Sequence, residues 1–156
     1  MSNMSKEKMT SDQQRFIDDM VVLMQPWGMT AAVSRLYGYL LLQAEPASLD
    51  RMCEQLGISK STASVAARQL EVSKLVRRHS ERGSKHDLYS ITEGGLAAIH
   101  AQVTMLGELG DLMQRNLGTT NSDAAAKRME KISRVCFAMQ SLIQEGLRDM
   151  NKIWSS

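Results

Sequence analysis

The chain has 156 residues and a mass of 17.4 kDa, room for one domain or one small domain with appended helices and too little for a multidomain enzyme. Its 43% hydrophobic and 23% charged residues are those of a globular protein with a core, which excludes a disordered chain. The formal charge of +2 is uneven: residues 59–86 hold seven basic side chains against two acidic ones, a local +5, so the other residues sum to −3.

No apolar run approaches the roughly 18–20 residues of a membrane span. The polar start MSNMSKEKMTSDQQ lacks the apolar stretch of a secretory signal, so a cytoplasmic location is expected. Cys53 and Cys136 form no CxxC and fall on apolar faces, and His79, His86 and His100 match no metal-binding spacing. Neither a disulfide framework nor a metal or other cofactor is expected. Two Pro, and seven aromatics against twelve Met, leave Leu, Met, Ala, Val and Ile to build a helical interior.

Residues 1–10 read as a flexible arm. From Asp12 to Gln25 the spacing of Phe16, Ile17, Met20, Leu23 and Met24 predicts a helix, which Pro26 and Gly28 stop, within an N-terminal segment 11–29. Thr30 is placed to cap a second helix running to about Ala44, ended by Glu45-Pro46. Ser48 caps a short helix over Leu49–Leu56, Gly57 fits its C-terminal turn, and Ser59 restarts a helix whose Ala63, Ala66 or Ala67, and Leu70 face inward. Two short helices joined by a glycine-containing turn are a helix-turn-helix. Residues 75–79 and 88–91 then predict two strands joined through a polar turn at Gly83-Ser84. The expected fold is therefore mainly α: a winged helix-turn-helix over 30–92 with a two-stranded wing.

Thr92 is placed to cap a long helix with Leu96, Ile99, Val103, Leu106, Gly110, Met113 and Leu117 at alternating three- and four-residue steps. After a polar break, Met129, Ile132, Cys136, Met139, Ile143, Gly146, Met150 and Ile153 repeat the rhythm, so 93–156 reads as two long helices with a heptad seam. Such a seam needs a partner helix, from the same chain or from a second copy.

In a helix-turn-helix the second helix enters the major groove of DNA. Here Ser59, Lys60, Ser61, Thr62, Ser64, Val65, Arg68 and Gln69 are turned outward, short, polar and basic, with Glu71 the single acid on that helix. Small hydroxyls let a helix sit deep, Val65 suits a thymine methyl, and Arg68 has the reach for guanine or phosphate. A merely solvated face would more typically carry Glu and Lys at four-residue spacing. At the wing, Arg82 and Lys85 flank Gly83 and are candidates for phosphate or minor-groove contact. Arg77 and Arg78 alternate across the strand, so one of the two, taken as Arg77, can face DNA.

The order of helices, SLDRMCEQLGISKSTASVAARQLE, LVRR, the wing, and ITEGG opening a long helix resembles the MarR (multiple antibiotic resistance regulator) family of winged-helix transcription factors. Ser34–Leu42, Glu45–Asp50, Gly57–Ser64 and Gly83–Tyr89 bring it nearest the GbsR-like branch, typified by repressors of glycine betaine synthesis or uptake. The resemblance covers roughly residues 15–105. It implies a homodimer on double-stranded DNA with interlocked terminal helices, which makes Phe16, Met20, Met129, Ile132, Cys136, Met139, Ile143 and Met150 the expected dimer interface. It also implies a pseudo-palindromic operator, repression, and release by a small effector linked to osmoprotectant (choline or betaine) genes. Ser84-Lys85 departs from the Asp-x-Arg that many members carry in the wing. Trp27, Tyr37 and Tyr39 are the candidate effector lining, since aromatic faces hold quaternary ammonium groups. The sequence concentrates no catalytic set, so no enzyme is expected. The other reading is a winged helix used for protein interaction or non-specific architectural DNA binding.

Overall fold

The computed structural model describes residues 8–154 apart from 81, 82, 84 and 93–95, and for 96–98 and 151–154 it describes the backbone alone. The chain divides into two compact units, 1–93 and 94–156.

In the first unit α1 spans Ser11–Met24, followed by a 3-10 turn at Gln25–Trp27. Thr10 caps α1 through a reciprocal box: the Gln13 N–H donates to its hydroxyl at 3.2 Å, and its own N–H donates to Gln13 Oε1 at 2.9 Å. The helix thus claims the last residue of the expected arm, and Met9 packs against the core. Residues 1–7 lie outside the described residues. α2 (Ala31–Leu41) is capped by Thr30 and ends three residues before Ala44, because Leu42 and Gln43 tighten its last turn onto the carbonyls of Tyr39 and Leu40.

β1 is two residues, Ala47–Ser48, and was not foreseen, since so short a strand has no periodicity and exists only through its pairing with β3. α3 (Leu49–Leu56), α4 (Lys60–Val72), β2 (Val76–His79) and β3 (Leu88–Ile91) follow in the expected order. The sheet is antiparallel with order β1-β3-β2, and Arg78 stands opposite Tyr89. The core gathers Ile17, Leu36, Tyr39, Leu40, Met52 and Leu70 with the alanines of α4. The fold is a winged helix-turn-helix, mainly α as expected.

The second unit is a helical hairpin of α5 (Leu96–Arg115) and α6 (Asp123–Trp154). Ser122 precedes α6 and its hydroxyl accepts the Ala125 N–H at the first turn, and the 32 residues of the helix run about 48 Å. Buried Ser133 donates to the Gly110 carbonyl at 3.0 Å and Gln140 to the Val103 carbonyl at 3.2 Å, so the helices run antiparallel. At the crossing α5 presents Gly107 and Gly110. A Cβ on Gly110 would lie 2.9 Å from the Phe137 ring, and one on Gly107 would collide with the Gln140 amide.

The heptad seam expected on α6 is cut in two. Cys136 is buried on the face that carries Ser133, Gln140 and Leu147 toward α5, and Met129 and Ile143 fall on that face by helical rotation and are half-buried. These three pack within the chain. Ile132, Met139 and Met150 lie on a different stripe with Val135 and Leu142, which is exposed. A three-four rhythm fits either stripe, and only the packing of α5 decides which is consumed. α5 shows the same division: Val103 is buried, whereas Met105, Leu109 and Leu112 are exposed. The side chains of Leu96 and Ile153 are outside the described residues.

Replacing Gly110→Leu should cost about 1–3 kcal/mol of stability by overpacking against Phe137. Thermal unfolding followed by circular dichroism checks this; an unchanged midpoint would remove the close crossing.

Candidate nucleic-acid interface

α4 is positioned by the turn before it and by the small side chains beneath it. Gly57 takes φ +63° and gives its N–H to the Cys53 carbonyl at 2.9 Å, a conformation that costs a side-chain-bearing residue more. Ser59 then caps α4, accepting the Thr62 N–H at 3.1 Å. Its hydroxyl also lies 3.0 Å from that of Ser61 and 2.8 Å from that of Thr62, so the three hydroxyls at the front of the helix are held as a set. Ala63, Ala66, Ala67 and Leu70 are all buried, which settles the Ala66-or-Ala67 alternative in favour of both. Lys60, Ser61, Thr62, Val65, Arg68 and Gln69 are exposed, as the sequence predicts, and Ser64 is half-buried.

The cations of this surface are of two kinds. Lys60 Nζ sits 2.9 Å from Asp50 Oδ1 of α3, and His86 Nδ1 lies 3.9 Å from the other oxygen of the same carboxylate. The hydrogen bond and charge of Lys60 hold the Asp50 carboxyl below the usual range, and Asp50 in turn raises Lys60. Arg78 is tied to Asp87 at 2.6 Å, and Asp87 also accepts from Ser80, which with Arg78 lowers its pKa. Arg77, Arg68 and Lys85 are exposed and have no acidic partner among the described residues. Of the two strand arginines, Arg78 is thus engaged by a carboxylate and Arg77, among the described residues, is not. Arg82, and Ser84 beside Lys85, lie outside the described residues.

Sequence reasoning missed two features here. Asp50 has no local signal that marks it as the partner of Lys60, ten residues on. A groove also runs beside α4, lined in one part (about 430 Å³) by Thr30, Ala32, Ser61, Thr62, Val65 and Gln69 and continuing through a part of about 360 Å³ at Met29, Arg68 and Val72. It brings the capped start of α2 alongside the exposed face of α4.

The aromatic cage does not form. Tyr37 and Tyr39, two positions apart on α2, point to different sides of the helix. Tyr39 is 1% exposed and its hydroxyl accepts from Arg51 Nε at 3.2 Å, Tyr37 is half-buried with its phenol pKa raised by burial, and Trp27 is 78% exposed. Burial likewise raises the Cys53 thiol, which suits a packing role. Among the described residues no group of three His, Cys, Asp or Glu is arranged to hold a metal, and no helix is long and apolar enough to cross a membrane.

This geometry defines a winged helix-turn-helix unit whose α4 carries a polar, basic outward face, followed by a helical hairpin. No family model matches the chain. Among solved structures it is similar to a crystal structure of a transcriptional regulator, with a TM-score of 0.82, 20% identity, and coverage of 90% of this chain and 99% of that one. Two curated relatives come from Bacillus subtilis strain 168. One, provisionally named the HTH-type transcriptional regulator YvaV, is 27% identical over 93 residues, 58% of this chain and 52% of the relative. The other, the HTH-type transcriptional repressor OpcR, is 25% identical over 81 residues, 52% of this chain and 44% of the relative. The chain spans about half the length of the curated relatives it matches.

Because Lys60 lowers the Asp50 carboxyl, the ion pair is complete above the ordinary carboxylate pKa and is lost as pH falls through the lowered value. NMR titration should place Asp50 below an ordinary aspartate and return it upward in Lys60→Met. An unshifted Asp50 in the wild type would disprove the pairing.

Proposed function

We propose that this chain is a DNA-binding transcriptional regulator of the MarR family, nearest the GbsR-like branch, acting as a homodimer on a pseudo-palindromic operator. The observation that carries the reading is the outward face of α4, where Ser61, Thr62, Val65, Arg68 and Gln69 are exposed on a helix seated by alanines. Hydroxyls at the front of such a helix suit phosphates and base edges, and Arg68 in its third turn suits guanine or phosphate. Ser59, Lys60 and Ser64 complete the helix contacts, and Arg77, Arg82 and Lys85 supply the wing. Lys60 must exchange Asp50 for phosphate, so Asp50 acts as an internal competitor at the edge of the interface.

Dimerisation is supported by the exposed apolar stripes on α5 and α6, surface that a lone chain leaves in water. Phe16 is partly exposed on α1 and remains in the proposed interface with Ile132, Met139 and Met150, joined by Val135 and Leu142; Met20 is half-buried, in contact range of Gly38. Two-fold symmetry places the two reading helices in successive major grooves, about 10 base pairs apart. Repression is the simpler mode, since a dimer on a promoter obstructs polymerase without further parts. A link to osmoprotectant genes rests on the branch resemblance alone.

Selection from a randomised duplex library at near-physiological salt tests the reading. A two-fold consensus with one-turn half-site spacing is expected; retention without consensus that vanishes as salt rises would instead indicate non-specific phosphate binding. Arg68→Ala should weaken binding to the selected site by about 1–3 kcal/mol with the dimer intact. Leu142→Asp should lower dimer stability and DNA affinity together while leaving the hairpin folded, as read by analytical ultracentrifugation. A Leu142→Asp protein that sediments as the wild-type dimer would remove this stripe from the interface.

A further inference from the structure

The geometry points to a second binding site in the first unit, away from the outward face of α4: a cleft between the start of α1, the end of α2 and α3 that takes a small polyhydroxylated carboxylate. The cleft holds about 330 Å³, at the lower end of the range of small-molecule sites, roughly 300–1,000 Å³. Its polar lining includes Lys8, Gln13, Tyr39, Gln43 and Arg51, with two cations and no carboxylate among the described lining residues.

The hydrogen bonds already made there decide which valences remain. Arg51 spends its Nε–H on the Tyr39 hydroxyl, which fixes the guanidinium plane and leaves its terminal N–H groups without an acidic partner among the described residues. Tyr39 accepts that bond and so keeps its own O–H proton to donate. Because Tyr39 is almost fully buried, this donor pair is held in place before any ligand arrives. Gln43 gives an N–H to the Tyr39 carbonyl at 3.3 Å, which leaves its amide oxygen to accept from a hydroxyl. Gln13 uses its oxygen on the Thr10 N–H, which leaves its NH₂ to donate.

A carboxylate answers the Arg51, Lys8 and Tyr39 donors, and hydroxyl groups answer the amides, which both give and take. The cleft is mainly polar, so an aromatic acid would waste it. A quaternary ammonium, the class an aromatic cage would have suited, meets two like charges and finds no open aromatic face, since Tyr39, the one aromatic residue of the lining, is almost fully buried.

The test is isothermal titration of the full chain at low salt with gluconate, with sorbitol as the same polyol lacking the carboxylate, and with choline, alongside NMR of the backbone amides. Gluconate should bind saturably and shift the amides of Arg51 and Gln43, sorbitol should bind at least about tenfold more weakly, and choline should not bind. Arg51→Met should lose at least about tenfold in gluconate affinity. Lys8→Glu, at an exposed position, should weaken it several-fold without disturbing the fold, and decides the matter should Arg51→Met fail to fold. No saturable gluconate binding, tighter choline binding, or a Lys8→Glu protein that binds gluconate like the wild type would overturn the site. None of these readouts involves DNA, so the site stands or falls separately from the regulator reading.

Discussion

The alanine face of α4 is the contact on which the rest of the first unit depends. Ala63, Ala66 and Ala67 give the helix no bulk on its inner side, so it lies close on α2 with Leu70 as its one large anchor. Larger residues would lift the helix and rotate its outer face. With the inner face fixed, the 3.6-residue repeat leaves Ser61, Thr62, Val65, Arg68 and Gln69 outside. The position of that outward face follows from the small residues buried beneath it.

Charge is managed around that surface. Two carboxylates, Asp50 and Asp87, hold Lys60 and Arg78, while Arg68, Arg77 and Lys85 have no acidic partner among the described residues. All of these pairs are solvent-exposed, and exposed pairs are weak and screened by salt. The Lys60–Asp50 pair can therefore open at little cost. The same carboxylate reaches His86 from the wing side, so α3, α4 and the segment before β3 share one electrostatic node.

The hairpin of α5 and α6 solves a different problem with glycine. Gly107 and Gly110 let Gln140 and Phe137 approach the α5 backbone, and the buried Ser133 hydroxyl is satisfied by the Gly110 carbonyl. Close packing of that seam spends Cys136, Leu147 and Val103 within the chain and leaves a second apolar stripe on each helix. One pair of helices thus carries both an internal and an external apolar surface.

The sequence by itself determined the elements and their faces. Serine and threonine caps, the Gly57 turn and apolar periodicity are local signals, and they located every helix, both wing strands and the outward residues of α4. What it could not determine were choices made between distant segments. Two residues at Ala47–Ser48 become a strand only when β3 lies beside them, and Lys60 acquires Asp50 only through the turn between α3 and α4. The seam on α6 is the clearest case: a three-four rhythm admits two stripes, and only the arrival of α5 shows that Cys136 belongs to one and Met139 to the other. Local chemistry sets which faces can be buried; tertiary packing, which brings the competing surfaces together, decides which of them is.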